Sequence, residues 1–252
     1  IINTLCIDSK GNMIDLLNAK EALDSKIIKT VGNAKNKISE DALRILRAIR
    51  FATILDCKLH DDLKTTIKKY GSLLRKLSYY RKKEELDKIF SSANAKKGID
   101  LILELGLEDY LEIPNLKDIV ITSSSVGIWA QLDALDKYSF TNNEKDLIKK
   151  VNELRKLKNF DNFVLYKNGL YVVTIAAEIN NIDKKALTER YMNLPIKNIN
   201  EISISGTEIC EILNIKPSRL IKEILLDLER KIILGKLIND RKDIIQYIKI
   251  KY

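Results

Sequence analysis

From residue 39 onward, apolar residues recur at intervals of three and four, the spacing that gathers one face of an α-helix. The pattern predicts helices near 39–56, 60–75, 79–92, 95–105, 125–137, 143–157, 169–179, 184–192, 207–213, 217–234 and 240–250. Ahead of them the rhythm is different. Residues 1–8 and 12–17 are short apolar segments around Ser9-Lys10-Gly11, a hairpin signal in which glycine supplies the turn conformation. Residues 27–31 predict one further strand, ended by Gly32, and Ser39 then caps a helix whose first turn holds Glu40 and Asp41. The expected fold is mostly α, with a short β portion at the N-terminus.

Composition supports this. Nine Gly and three Pro in 252 residues are too few turn-formers for the many short strands of an all-β fold. With 45% hydrophobic and 31% charged residues, the chain is a folded one of one or two domains. A single histidine, His60, excludes multi-histidine metal sites. It precedes Asp61 and Asp62 at a helix start, the place of a surface or capping residue. Cys6, Cys57 and Cys210 form no Cys-x-x-Cys pair and read as small buried residues in a reducing cytoplasm. No apolar run approaches the roughly 18 residues of a membrane helix, so a cytoplasmic protein is expected.

Charge is uneven. Forty-four Lys and Arg against 35 Asp and Glu give +9, and residues 64–88 alone carry +6, residues 214–252 a further +5. Two basic patches suit a polyanion, although solvated lysine-rich helices give the same composition. The exposed candidates for phosphate contact are Lys68, Lys69, Arg75, Lys76 and Arg81 in the first patch and Arg219, Lys222 and Arg230 in the second. Trp129 and most of the tyrosines are expected in the core or at its boundary rather than as stacking platforms. Asp61 with Asp62 and Asp133 with Asp136 read as solvated surface acids.

Arginine is the less common base, yet Arg44, Arg47 and Arg50 fall within seven residues. At 100° per residue, Ala42, Ile45, Leu46, Ala48, Ile49 and Ala52 share one helix face and the three arginines fan across the other. A guanidinium offers planar, directed donors to phosphate oxygens or base acceptors, and a carboxylate such as Asp41 can accept from an exocyclic amine. The plainer reading is an i,i+3 ion pair between Asp41 and Arg44.

Glu40-Asp41-Ala42-Leu43-Arg44-Ile45-Leu46-Arg47-Ala48-Ile49-Arg50-Phe51 closely resembles a known nucleotide-selecting helix with a Glu-Asp-x-x-Arg-x-x-Arg core. That helix belongs to the class II nucleotidyltransferases, which comprise bacterial CCA-adding enzymes and poly(A) polymerases. Asp8, Gly11 and Asp15 are similar to the family's hinge motif, and Ile28-Lys29-Thr30-Val31-Gly32 to the segment after it. Ser78-Tyr79-Tyr80-Arg81 resembles a Ser-x-Glu-Arg element, with Tyr80 where Glu is usual. Ile204-Ser205-Gly206, Leu213 to Pro217 and Gly235 to Asp240 resemble the tail of the bacterial enzymes, except at Ser218-Arg219, and favour CCA addition over poly(A) synthesis.

The resemblance implies four parts: the end of a nucleotidyltransferase head at 1–32, a neck at 33–110, a helical body at 111–198 and a basic tail at 199–252. Ile1-Ile2-Asn3-Thr4-Leu5 looks like the end of the head, whose Asp-x-Asp pair would bind Mg2+, and this chain contains no Asp-x-Asp. The expectation is therefore a chain without catalytic carboxylates. Asp41 and Arg44 would select CTP and ATP, Arg47 and Arg50 would brace the helix or reach the triphosphate, and the basic patches would hold the acceptor arm of tRNA. Alternatives are a non-catalytic RNA-binding module derived from the family, a poly(A) polymerase, or an unrelated helical scaffold.

Overall fold

Thr4 and residues 6–252 are described by the computed structural model, so the Ile1–Leu5 stretch, Thr4 apart, lies outside the described residues. The chain divides into two compact units, Ile1–Asn152 and Glu153–Tyr252. Helices dominate both, and the strands are all two residues long.

In the first unit, β1 (Cys6–Ile7) and β2 (Met13–Ile14) form an antiparallel hairpin. Asp8 ties the turn: its carboxylate accepts from the backbone N–H of Lys10 and Asn12, both at 2.8 Å, and from the Asn12 side chain at 2.9 Å. Gly11, at φ +84°, takes a conformation that disfavours any Cβ. Asp15 accepts at 2.8 Å from the N–H groups of Ala19 and Lys20 and so anchors α1 (Ala19–Asp24). These bonds hold both carboxyls below the usual carboxylate range, the Asn12 side chain acting most on Asp8 and the Lys20 N–H on Asp15. Cys6 is exposed with the rest of the hairpin, contrary to the expected buried thiol, while Cys57 is buried and Cys210 half-buried.

β3 (Ile27–Ile28) pairs in parallel with β4 (Lys58–Leu59), a strand too short to show alternation in sequence. The helix expected at 39–56 is two helices, α2 (Ala34–Glu40) and α3 (Leu43–Ile54). Asn33, not Ser39, caps the first, its side chain accepting from the Asn36 N–H at 3.1 Å. Asp41 is extended (φ −152°, ψ 107°) and its carboxylate accepts from the Leu43 N–H at 3.0 Å. A local side-chain bond of this kind competes with helix continuation and restarts the helix beyond it.

The apolar face of α3 (Ile45, Leu46, Ile49, Ala52) is fully buried. His60 caps α4 (Asp61–Tyr70), Nδ1 accepting from the Asp62 N–H at 3.3 Å. A 3-10 segment, Gly71–Lys76, replaces the expected end of that helix. Ser78 caps α5 (Tyr79–Phe90), and α5 and α6 (Ala95–Glu104) both pack on α3. Gly98 permits that approach, because a Cβ there would sit 2.4 Å from Ile89 Cγ2 and 2.6 Å from Thr53 Oγ1. Gly98→Ala therefore lowers the urea midpoint, by about 1–3 kcal/mol of overpacking; an unchanged midpoint would mean that the helices separate freely. α7 (Glu108–Leu111) and α8 (Ser125–Trp129) are short. The helix expected to reach 137 stops at Trp129, and Asp133 beyond it takes φ +51°. Trp129 is core: Phe90, Tyr138 and Phe140 ring it at 4.9–5.3 Å, and its Nε1 donates to Asp87 at 2.6 Å. α9 (Asn142–Leu154) contains the division between the units.

The second unit holds α10 (Asn162–Ile179), α11 (Lys184–Met192), α12 (Gly206–Leu213), α13 (Arg219–Ile233) and α14 (Arg241–Lys251). α10 starts at Asn162, ahead of the expected 169, and is bent at Gly169 (φ 76°, ψ 158°). Ile209, Ile224, Leu228, Ile232, Ile244 and Ile248 form the core of this unit. Buried Glu229 accepts from Tyr166 Oη at 2.7 Å and Lys167 Nζ at 2.5 Å. No described helix is long and apolar enough to cross a membrane.

Candidate functional site

The arginine helix faces a cavity of about 360 Å³ in the first unit. Its floor is apolar, with Ile28, Val31, Ala48, Phe51 and Leu63, and its charged lining is entirely basic: Lys29, Lys37, Arg44 and Arg47. Apolar surface with a few convergent donors and no acid suits an anion that carries a flat, weakly hydrated body.

The three arginines divide. Arg47 is exposed to the cavity and has no hydrogen-bond or ion-pair partner among the described residues. Arg44 is also exposed, and its Nη2 lies 3.9 Å from the Glu40 carboxylate, which is itself taken by Lys37 at 2.9 and 3.0 Å. Arg50 does not line the cavity. It is 13% exposed, donates to Glu85 at 3.1 Å and lies over the Phe51 ring at 4.4 Å. The fan expected from the helical wheel thus becomes two exposed guanidiniums and one buried strut.

Asp41 does not pair with Arg44 side chain to side chain. Its two oxygens accept from Arg81 Nη2 at 3.2 and 2.9 Å, which ties the start of α3 to the start of α5. Arg81, grouped by sequence with the phosphate-facing cations, is therefore committed to Asp41. The sequence also could not place Lys29, Lys37 and Phe51 in one wall, nor Glu85 behind Arg50, since these meet only across turns and helices distant in the chain.

The basic stretch 64–88 is less exposed than its count suggests. Lys82 and Lys83 are buried, and Lys64 pairs with Glu104 at 2.9 Å. Lys83 sits between Asp87 at 2.8 Å and Glu144 at 2.6 Å; their bonds outweigh its burial and raise its pKa. Lys68, Lys69, Arg75 and Lys76 are exposed with no acidic partner among the described residues. In the second unit Lys222 is exposed with no ion-pair partner among the described residues, Arg230 lies over the Phe163 ring at 5.2 Å, and Arg219 pairs with Glu223 at 3.2 Å.

Among the described residues no group of three or more His, Cys, Asp or Glu could hold a metal ion. The carboxylates nearest the arginine helix are each held by a cation: Glu40 by Lys37, Asp41 by Arg81, Glu85 by Arg50. These residues do not fit Mg2+, and no bond-making step is assigned to them.

Two family models match. Residues 128–248 match the family described as 'tRNA nucleotidyltransferase domain 2 putative', and residues 56–119 the family described as 'Probable RNA and SrmB- binding site of polymerase A'. A CCA-adding enzyme of Ligilactobacillus salivarius is 31% identical over 278 residues, covering 98% of this chain and 69% of that protein. The crystal structure of the Bacillus stearothermophilus CCA-adding enzyme in complex with CTP superposes with a TM-score of 0.81 at 24% identity, over 99% of this chain and 71% of that one. The Thermotoga maritima CCA-adding enzyme complexed with tRNA gives 0.69 at 19% identity, again over 99% and 71%. Fold and matches together define a tRNA nucleotidyltransferase-related chain. Within that class it belongs to the CCA-adding enzyme family.

Proposed function

We propose that this chain selects CTP and ATP and holds the acceptor arm of tRNA for template-independent addition of CCA to the 3′ end, in the cytoplasm. The cavity beneath α3 carries this reading, because its apolar floor and wholly basic rim suit a base and its phosphates. Arg44 and Asp41 read the Watson-Crick edge of the base. A guanidinium donates where cytosine and adenine accept, and a carboxylate accepts from their exocyclic amines. Arg47, without a partner among the described residues, meets the triphosphate, while Arg50 holds the helix in place. Lys68, Lys69, Arg75 and Lys76, with Lys222, Arg219 and Arg230 in the second unit, contact RNA phosphates and so recognise shape rather than sequence. This chain contributes selection and grip, and Mg2+ chemistry belongs to carboxylates other than those described.

Arg44→Lys tests the reading, since it keeps the charge and removes the planar fork. In the natural full-length protein, preference for CTP and ATP over UTP and GTP falls at least about tenfold, as expected for loss of a bidentate base contact. Unchanged selectivity would refute base reading by Arg44. Product length in the same assay separates CCA addition from poly(A) synthesis.

A further inference from the structure

Tyr80 stands apart from every other tyrosine in the chain. It is 60% exposed, and its ring and hydroxyl have no partner among the described residues. Each of the other nine tyrosines has a hydrogen bond, a ring contact, a cation over its face or another electrostatic partner. Tyr80 is also held firmly in place. Ser78 caps its helix, Tyr79 donates to Glu112 at 2.7 Å and buried Lys82 follows, so α5 cannot turn the ring inward without breaking these contacts.

Its position is informative. Arg81, the next residue, grips Asp41 at 2.9 Å, which places Tyr80 beside the base-reading end of α3. On the other side, Arg75 and Lys76 end the 3-10 segment only a few residues before it, exposed and without an acidic partner. Phosphate-binding cations, a bare aromatic face and a base-reading carboxylate thus follow one another over a short distance. Glu84, one helical turn on, is exposed along the same side of α5 as Tyr80, so the phosphate contacts fall to Arg75 and Lys76 ahead of the ring.

We propose that Tyr80 is a stacking platform for the unpaired 3′-terminal base of the RNA acceptor strand. The proposal rests on the RNA-binding reading above and adds to it where the end of the strand lies. A ring that stacks without reading hydrogen bonds suits an end whose terminal base changes at each addition, because every nucleobase offers a π face.

The test uses the full-length protein and an acceptor-stem hairpin with a single-stranded 3′ end, carrying 2-aminopurine as the terminal base and fluorescein at the 5′ end. Anisotropy of the fluorescein reports binding, and quenching of 2-aminopurine reports stacking. Wild type and Tyr80→Phe bind alike and quench alike; Tyr80→Ala loses the quench and binds about five- to 150-fold more weakly, with CTP affinity unchanged. Binding by Tyr80→Ala with the quench intact overturns the stacking role and leaves RNA binding standing. Loss of CTP affinity with the quench intact also overturns it, and places the ring on the incoming nucleotide. No binding by wild type overturns both readings.

Discussion

Glu85→Ala lowers the stability of the first unit by about 3–5 kcal/mol, the range for leaving a buried charge without its partner. Arg50 is 13% exposed and Glu85 7% exposed, so the orphaned guanidinium cannot reach bulk water without displacing α5 from α3. Both carboxylate oxygens share one arginine nitrogen, at 3.1 and 3.0 Å, and Oε2 makes no hydrogen bond of its own. Glu85 is the polar partner of the Arg50 side chain among the described residues, so its removal leaves the guanidinium without an acceptor. Trp129, the only tryptophan, sits in the core of the same unit, and its fluorescence follows urea unfolding there. Glu85→Gln, which keeps an acceptor and the shape, loses less. A loss under about 1 kcal/mol for Glu85→Ala would mean that Arg50 escapes to solvent and is not the strut described.

Lys82→Met has the opposite sign and stabilises the unit by about 1–4 kcal/mol. Lys82 is 1% exposed, yet its ammonium has only the Tyr110 carbonyl at 3.5 Å and the Tyr79 ring face at 4.7 Å. Burial holds its pKa below the usual lysine value, with Glu112 opposing and Arg75 reinforcing. The unfolded chain therefore binds this proton more tightly than the folded one. Below the folded pKa the penalty is present in full; as pH rises through that value toward 10.5 the penalty is relieved and stability increases. Lys82→Met has no such rise, so the gap between variant and wild type narrows toward pH 10. Tyr79 and Tyr138 lower stability above the usual phenol range in both proteins, Tyr79 mainly because it donates to Glu112 and Tyr138 mainly through burial. Both are raised above 10.0, beyond the pH 7 to 10 window in which the two proteins are compared, so the difference there reports Lys82. A gap that stays constant from about pH 7 to 10 would show that Lys82 keeps its ordinary proton affinity in the fold.

Apolar periodicity made α3, α5, α6, α13 and α14 legible, because each buries a recurring apolar face. It failed where a polar side chain overrides the helix. Asp41 stops α2 by accepting from Leu43, and the run of residues around it still looks helical on a wheel. β3 falls within the strand expected at 27–31, whereas its partner β4 escaped notice because two residues carry no alternation. The arginine helix stood out in sequence because guanidiniums are scarce elsewhere in the chain. Which arginine is a strut was invisible, since Glu85 lies 35 residues away. Charge counting misled for the same reason: Lys82 and Lys83 add to the basic total of their stretch while lying inside the protein.

The extended residue between α2 and α3 has an evolutionary consequence. Asp41 ends one helix, bonds to the N–H at the start of the next and holds Arg81 of α5. If Asp41 reads the base as proposed, a substitution there changes folding and ligand preference together, and selection cannot act on the second without meeting the first. Arg44 carries no such double duty, for its side chain has only a distant contact with Glu40. On the proposed base-reading role of Arg44, lineages drifting toward a different nucleotide preference would change at 44 while 41 stays put, and a deep mutational scan should find position 41 intolerant even under selection for stability alone.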